Sequence, residues 1–261
     1  VREHDFTTVT ELPGNKASAE QLSMIHTRYR LAYELSAGKD VLEAACGPGR
    51  ALGYLSRTAK SVVGGDYTQD LVDRANHQYA GRIQVVRMDA QAMSFADGSF
   101  DVVILFEALY YLPSPEKFFA EARRVLRPEG LLLLCTPNCE WGEFNPSPFS
   151  CGYFTAAQLR RALEAAGFSP EIKAGFQVSN DTLGSRSIAA ARRFAVALGL
   201  VPKTMKGKAL LKRLFYGRLA ELGPEIDAGV STSELVRVVG GPVTNYKVLY
   251  AVAARRPDGL T

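Results

Sequence analysis

Short, almost continuously apolar runs alternate along the first half of the chain with longer segments whose apolar residues recur every three or four positions. The run that begins at Val41 and ends in Glu43, and those at 61–65, 83–87 and 101–106, read as strands buried on both faces. The periodic segments predict helices over 19–36, 48–59, 68–79, 115–125 and 155–166. Arg127-Pro128-Glu129-Gly130 predicts a turn that launches a fifth strand, ending at Thr136. Regular strand–helix alternation implies an α/β fold, a doubly wound, Rossmann-like, mostly parallel sheet. Residues 179–245 interrupt the hairpin expected between the last two strands, and helical periodicity returns there over 187–198 and 206–219. The expected organisation is one domain made of 1–178 and 246–261, with 179–245 as a mostly helical lid before the last strand.

The chemistry concentrates where strands end. The stretch Val41-Leu42-Glu43-Ala44-Ala45-Cys46-Gly47-Pro48-Gly49-Arg50 reads as strand, glycine turn and helix start. Glycines there let a ligand approach the backbone, and a helix N-terminus favours a negative group. A dinucleotide fingerprint needs three glycines, but the corresponding positions are Ala45, Gly47 and Arg50. Glu43 can instead accept from an ammonium, so the loop fits S-adenosylmethionine (SAM) better than a pyrophosphate. Asp66 ends the second strand, at a position suited to both hydroxyls of a ribose. Asp89 follows the third strand and could accept from an exocyclic adenine amine, and Glu107 follows the fourth. Any one of these acids could be a helix cap. Four of them beyond strand carboxyl ends mark the edge where open α/β sheets bind ligands.

With these segments the chain resembles the class I SAM-dependent methyltransferases, in their small bacterial type 11 branch. The resemblance runs from about residue 21 to 178, with a final strand near 246–255. It rests on VLEAACGPGR, VVGGDYTQDLVDRA, MDAQAMSFADGSFDVVILFEALYYL, EARRVLRPEGLLLLCTPN and YFTAAQLRRALEAAGF. It implies a seven-stranded sheet and SAM as cofactor. Glu43, Ala45 and Gly47 would surround the methionine part, Asp66 with Tyr67 beside it the ribose, and Asp89 and Ala90 the adenine. Phe106 would form the cofactor face and Glu107 the end of that strand. His26-Thr27-Arg28-Tyr29 looks like the helix that covers the cofactor in these enzymes, which adds Tyr29 to the set. One departure matters. Many relatives carry a histidine where this chain has Tyr111, which removes the obvious general base. His26 is then the one histidine placed to act as a base, with a solvated or structural role as its alternative. Tyr110, Tyr111 and Glu107 can orient an acceptor, although a tyrosine with an ordinary pKa of about 10 is a poor base near neutrality.

Downstream of the fifth strand, residues 137–150 form a long connection rich in aromatic and turn residues. Loops of that length are functional or disordered in most proteins, and the aromatics argue for order. Asn138 and Glu140 are the expected polar contacts to an acceptor, with Trp141 as a stacking platform. The alternative is that the aromatics only fix the loop to the sheet. The basic periodic segment 206–219 suits an anionic substrate, a membrane surface or plain solvation.

Composition bounds the rest. The chain has 261 residues, 47% hydrophobic and 22% charged, enough for a sheet covered on both sides. A net charge of +4 is mild, and no nucleic-acid-binding module is evident, so a small-molecule acceptor is expected rather than nucleic acid. No apolar run reaches membrane-spanning length, which leaves peripheral contact open, and the polar start lacks the pattern of a secretory signal. The four cysteines form no C-x-x-C pair and read as small hydrophobes in a reducing, cytoplasmic setting, not metal ligands. The function expected is SAM-dependent methyl transfer to an oxygen or nitrogen of a small molecule, a sugar or phosphate-bearing glycan intermediate among them. A non-catalytic SAM-binding module is the first rival and a nicotinamide-dependent reductase the second.

Overall fold

The structure is a computed structural model and describes residues 5–178, 219–226 and 229–257. Its centre is a sheet in the order β4-β3-β2-β5-β6-β10-β7-β9. The strands are β2 (Asp40–Ala44), β3 (Ser61–Asp66), β4 (Gln84–Arg87), β5 (Phe100–Phe106), β6 (Leu126–Pro137), β7 (Phe168–Gln177), β9 (Val236–Arg237) and β10 (Tyr246–Arg255). The first five in that order run parallel, and β10 lies antiparallel between β6 and β7. Seven strands thus match the expected sheet. An eighth, the two-residue β9, extends the β7 edge. A separate ribbon pairs β1 (Lys16–Ala17) with β8 (Ala220–Glu221).

Helices cover both faces because each carries one apolar stripe. On one face α1 (Ala19–Leu35), α2 (Leu52–Leu55) and α3 (Gln69–Tyr79) bury Ile25, Leu52, Leu55, Val72 and Tyr79 against Val41, Val102 and Ile104. On the other, α4 (Pro115–Val125) and α5 (Ala156–Ala165) bury Phe118, Phe119, Leu159 and Leu163 against Leu132, Leu134 and Leu249. Capping boxes start α1 at Ser18 with Gln21 and α5 at Thr155 with Gln158, and Pro115 opens α4.

Two expected elements differ. The helix over 48–59 shrinks to α2, because the Tyr79 hydroxyl is wedged into its start. That hydroxyl donates to the Gly49 carbonyl at 2.7 Å and accepts from the Gly53 amide at 2.9 Å, taking over the bond that would close the first turn. The turn at 127–130 is instead part of β6. Glu129 adopts φ 63°, and the register with β5 shifts between Phe100 and Val102, so the extra residues are absorbed as a bulge.

The helical periodicities at 187–198 and 206–219, and with them the basic helix and the body of the proposed lid, lie outside the described residues, apart from Leu219, which is in no helix. The described part of the 179–245 segment contains no α-helix and packs on the main domain. Leu222 pairs its backbone with Gly14 and Asn15, the Ser233 amide donates to Thr27 in α1, and Val236 joins the sheet edge. Among the described residues no helix is long and apolar enough to cross a membrane.

Candidate active site

Strand β2 is flanked by β3 on one side and β5 on the other, so the winding of the sheet reverses there. A crevice opens at the carboxyl ends of strands at such a reversal. A cavity of about 520 Å³ occupies it, within the range of small-molecule sites. Its walls come from the turns after β2, β3, β4 and β5, from α1, and from an N-terminal strap over residues 6–11.

Backbone strain marks the floor. Ala45, just past β2, has φ 58°, and Glu107, just past the adjacent β5, has φ 53°. Both are left-handed conformations that cost a non-glycine residue free energy, and both residues face the cavity. Beside them Gly47 and Gly49, at φ 58° and 79°, shape the loop. Asp66 holds that loop from the next strand: one carboxylate oxygen accepts from the Gly47 amide at 2.8 Å, the other from the Thr68 amide at 2.9 Å. Burial raises the Asp66 pKa against the pull of these amides. Asp89 accepts from the Gln91 amide at 2.8 Å, and Tyr67 and Ala90 complete that side.

On the opposite side Glu107 accepts from the Tyr110 hydroxyl at 3.2 Å and from the Cys135 thiol at 3.4 Å. Burial raises its pKa, with Arg28 opposing. Burial also raises both Tyr110 and Tyr111, Tyr110 being pushed further by the Glu107 charge, so neither hydroxyl is prepared to take a proton. Tyr111 instead shares a 2.6 Å hydrogen bond with Ser147, and Tyr110 stacks on Tyr153, which docks the loop after β6. Tyr29 and Phe106 meet edge to face at 5.4 Å in the wall.

Of the residues singled out in the sequence, the cavity brings together Tyr29, Ala45, Gly47, Asp66, Tyr67, Asp89, Ala90, Phe106, Glu107, Tyr110 and Tyr111. Five lie off its wall. His26 is buried within α1, away from the lining. Glu43 sits behind the glycine loop, almost fully buried, where it accepts from the Tyr29 hydroxyl at 2.6 Å. Its other oxygen has no partner among the described residues. The Asn138 side chain is fully buried and donates to the Val243 and Tyr246 carbonyls, so its amide ties β6 to the approach of β10. Glu140 accepts from the Ala156 amide at the start of α5, and Trp141 lies against the Lys247 ammonium. The loop after β6 reaches the cavity through Phe149 and Cys151 instead.

Sequence reasoning missed the strap, with Phe6, Val9, Thr10 and Glu11, and the arginines Arg28 and Arg50. The strap is a single 3₁₀ turn, Phe6–Val9, too short to show a period. Arg28 and Arg50 stood inside recognisable segments, but nothing in their spacing shows that they converge.

Comparison with known proteins agrees with this geometry. Residues 42–134 match a family model described as "Methyltransferase domain". A Mycolicibacterium smegmatis protein named "Probable S-adenosylmethionine-dependent methyltransferase" is 36% identical over 159 residues, 59% of this chain and 58% of that one. The chain therefore spans little more than half that relative's length. A phthiotriol/phenolphthiotriol dimycocerosates methyltransferase of Mycobacterium tuberculosis is 30% identical over 243 residues, 91% of this chain and 78% of the relative. Among solved structures, the YcgJ protein of Bacillus subtilis superposes with a TM-score of 0.58 at 16% identity, covering 89% of this chain and 99% of that one, a likeness of fold.

Proposed function

Since the chain belongs to the class I SAM-dependent methyltransferases, in the type 11 branch, we propose that it is an enzyme that methylates an oxygen or nitrogen of a small acceptor with an apolar body. The cavity at the strand reversal carries this reading, because its donors and acceptors fit SAM. Glu43, behind the glycine loop and off the cavity wall, accepts from the Tyr29 hydroxyl, so it supports the wall that would face the cofactor rather than touching the ligand. Gly47 has no side chain to bar close approach to its backbone, and the Thr10 methyl of the strap lies against that face here. Asp66 and Asp89, at the ends of β3 and β4, stand where a ribose diol and an adenine amine would be held. When bound, SAM supplies a methyl group already activated by its sulfonium.

The protein then has mainly to align and to exclude water. Phe106 and Tyr29 wall the cofactor side. Tyr110, Tyr111 and Glu107 present polar atoms on the acceptor side, while Phe6, Leu112 and Phe149 supply apolar surface there. That lining favours an acceptor with a hydrocarbon or aromatic body, in keeping with the lipid-named mycobacterial relative. A sugar or phosphate-bearing acceptor draws its support from the basic segment 206–219, which lies outside the described residues but for Leu219.

Calorimetry with SAM and NAD, then S-adenosylhomocysteine release with hydroxylated and aminated acceptors of both kinds, tests the reading. SAM binding, no NAD binding and turnover confined to apolar-bodied acceptors are expected. Asp66→Ala should weaken SAM binding by about 1–3 kcal/mol or more, since it loses charged hydrogen bonds and the Gly47 tether together. SAM binding without turnover on any acceptor would leave a binding module.

A further inference from the structure

Two guanidinium groups meet one carboxylate at the cavity wall. Arg28, from α1, donates to Glu11 of the strap at 2.5 Å, and an Arg50 nitrogen lies 3.9 Å from the same oxygen. The arginines are nearly buried, their side chains 7% and 9% exposed, whereas Glu11 is 42% exposed. Arg28 Nε is buried without a partner among the described residues, and Arg50 Nε is held by the Gly223 carbonyl at 2.9 Å. Each guanidinium carries five N–H donors, so one carboxylate leaves the pair far from saturated. The same strap also covers the open face of the glycine loop: a Cβ placed on Gly47 would meet the Thr10 methyl at 3.1 Å. Adjacent strap residues therefore fill two places that a ligand with an amino-acid end would need, the bare glycine backbone and the arginine pair.

We propose that Arg28 and Arg50 form an anion site for the carboxylate at the amino-acid end of the cofactor, and that Glu11 fills this site as an internal stand-in until that carboxylate displaces it. The inference rests on the SAM reading above. Burial opposes the charge on Arg28, and the neighbouring groups, Glu11 foremost and Glu107 among the others, overcome it. Losing the nearest carboxylate is costly for a buried guanidinium pair even with the Glu107 charge acting on Arg28, so another carboxylate is the group best suited to take the place of Glu11. The exchange makes the strap responsive to ligands that carry the carboxylate and indifferent to those that lack it.

Two probes separate these cases in calorimetry of the whole chain. S-adenosylhomocysteine carries the amino-acid end, and 5′-methylthioadenosine is the same nucleoside thioether without it. Glu11→Gln, at a half-exposed position, removes the competitor. It should tighten S-adenosylhomocysteine binding roughly tenfold and leave methylthioadenosine unchanged. Arg50→Gln should weaken the first ligand and spare the second. Weaker or unchanged S-adenosylhomocysteine binding in Glu11→Gln, or an equal change for both ligands, would overturn the proposal. If neither ligand binds the unmodified protein, the SAM reading itself fails, and the site with it.

Discussion

Glu43, near the end of β2, is a buried carboxyl held by the Tyr29 hydroxyl at 2.6 Å. Its place before the glycine turn marked it as a ligand contact, but the side chain lies behind the loop rather than on the cavity wall. Burial raises its pKa from 4.5 to about 7, while the Tyr29 hydroxyl and the Arg28 charge pull it down. A carboxyl whose folded pKa stands above its unfolded one favours the folded state most in its neutral form. Its stabilisation is complete below pH 4.5 and is lost as pH rises through 7, a span of order 3 kcal/mol. The ligand-free protein should therefore lose stability to urea between pH 5 and 8, and Glu43→Gln should flatten much of that slope. Asp66 and Glu107, both raised by burial, act with the same sign. An unchanged slope in Glu43→Gln would move the effect to those two. Acids at strand ends were legible because their position follows from chain order alone. Glu11, Arg28 and Arg50 were not, because their convergence depends on how the strap and α1 fold over the sheet.

At the scale of elements, the long periodic segments were readable and the short exceptions were not. The helices expected at 19–36, 68–79, 115–125 and 155–166 match α1, α3, α4 and α5 to within a residue at each end. The failure at 48–59 comes from one distant side chain. Tyr79 ends α3, yet its hydroxyl replaces a backbone partner in the cofactor loop. No local propensity contains that information. Tyr79→Phe keeps the ring and strips Gly49 O and Gly53 N of their shared partner. It should cost at least about 1–3 kcal/mol in urea unfolding. S-adenosylhomocysteine affinity should fall with it, since Gly49 belongs to the loop that Asp66 holds. A loss of stability at full affinity would show that the loop keeps its shape without the wedge. The loop after β6 was legible as ordered but misassigned in detail. Its polar residues Asn138 and Glu140 are spent on backbone groups, and its aromatics do the docking.

The whole molecule divides its work between the two faces of the sheet. The face under α4 and α5 is a closed core, with Phe118, Leu159 and Leu163 at most 1% exposed. On the other face the core includes Leu222 and Ile226 from the returning segment, beside α1 and α2. That segment also frames the site, since the Gly223 carbonyl accepts from the Arg50 side chain and the Ile226 amide donates to the Arg50 carbonyl. The separation into a Rossmann-like body and a distinct lid was a reasonable expectation from the interrupted hairpin. What it could not contain is that residues 222–226 return to brace the glycine loop. Two core truncations distinguish the faces. Leu163→Ala and Ile226→Ala each empty a fully or almost fully buried position, and each should cost about 2–5 kcal/mol in urea unfolding. At equal folded fraction, Leu163→Ala should bind S-adenosylhomocysteine as the unmodified protein does, because α5 contributes nothing to the cavity lining. Ile226→Ala should bind it severalfold more weakly, because the backbone anchor of Arg50 is loosened without a cavity contact being touched. Equal affinities in the two variants would mean that Arg50 is positioned by the glycine loop alone, and that the returning segment only closes the core.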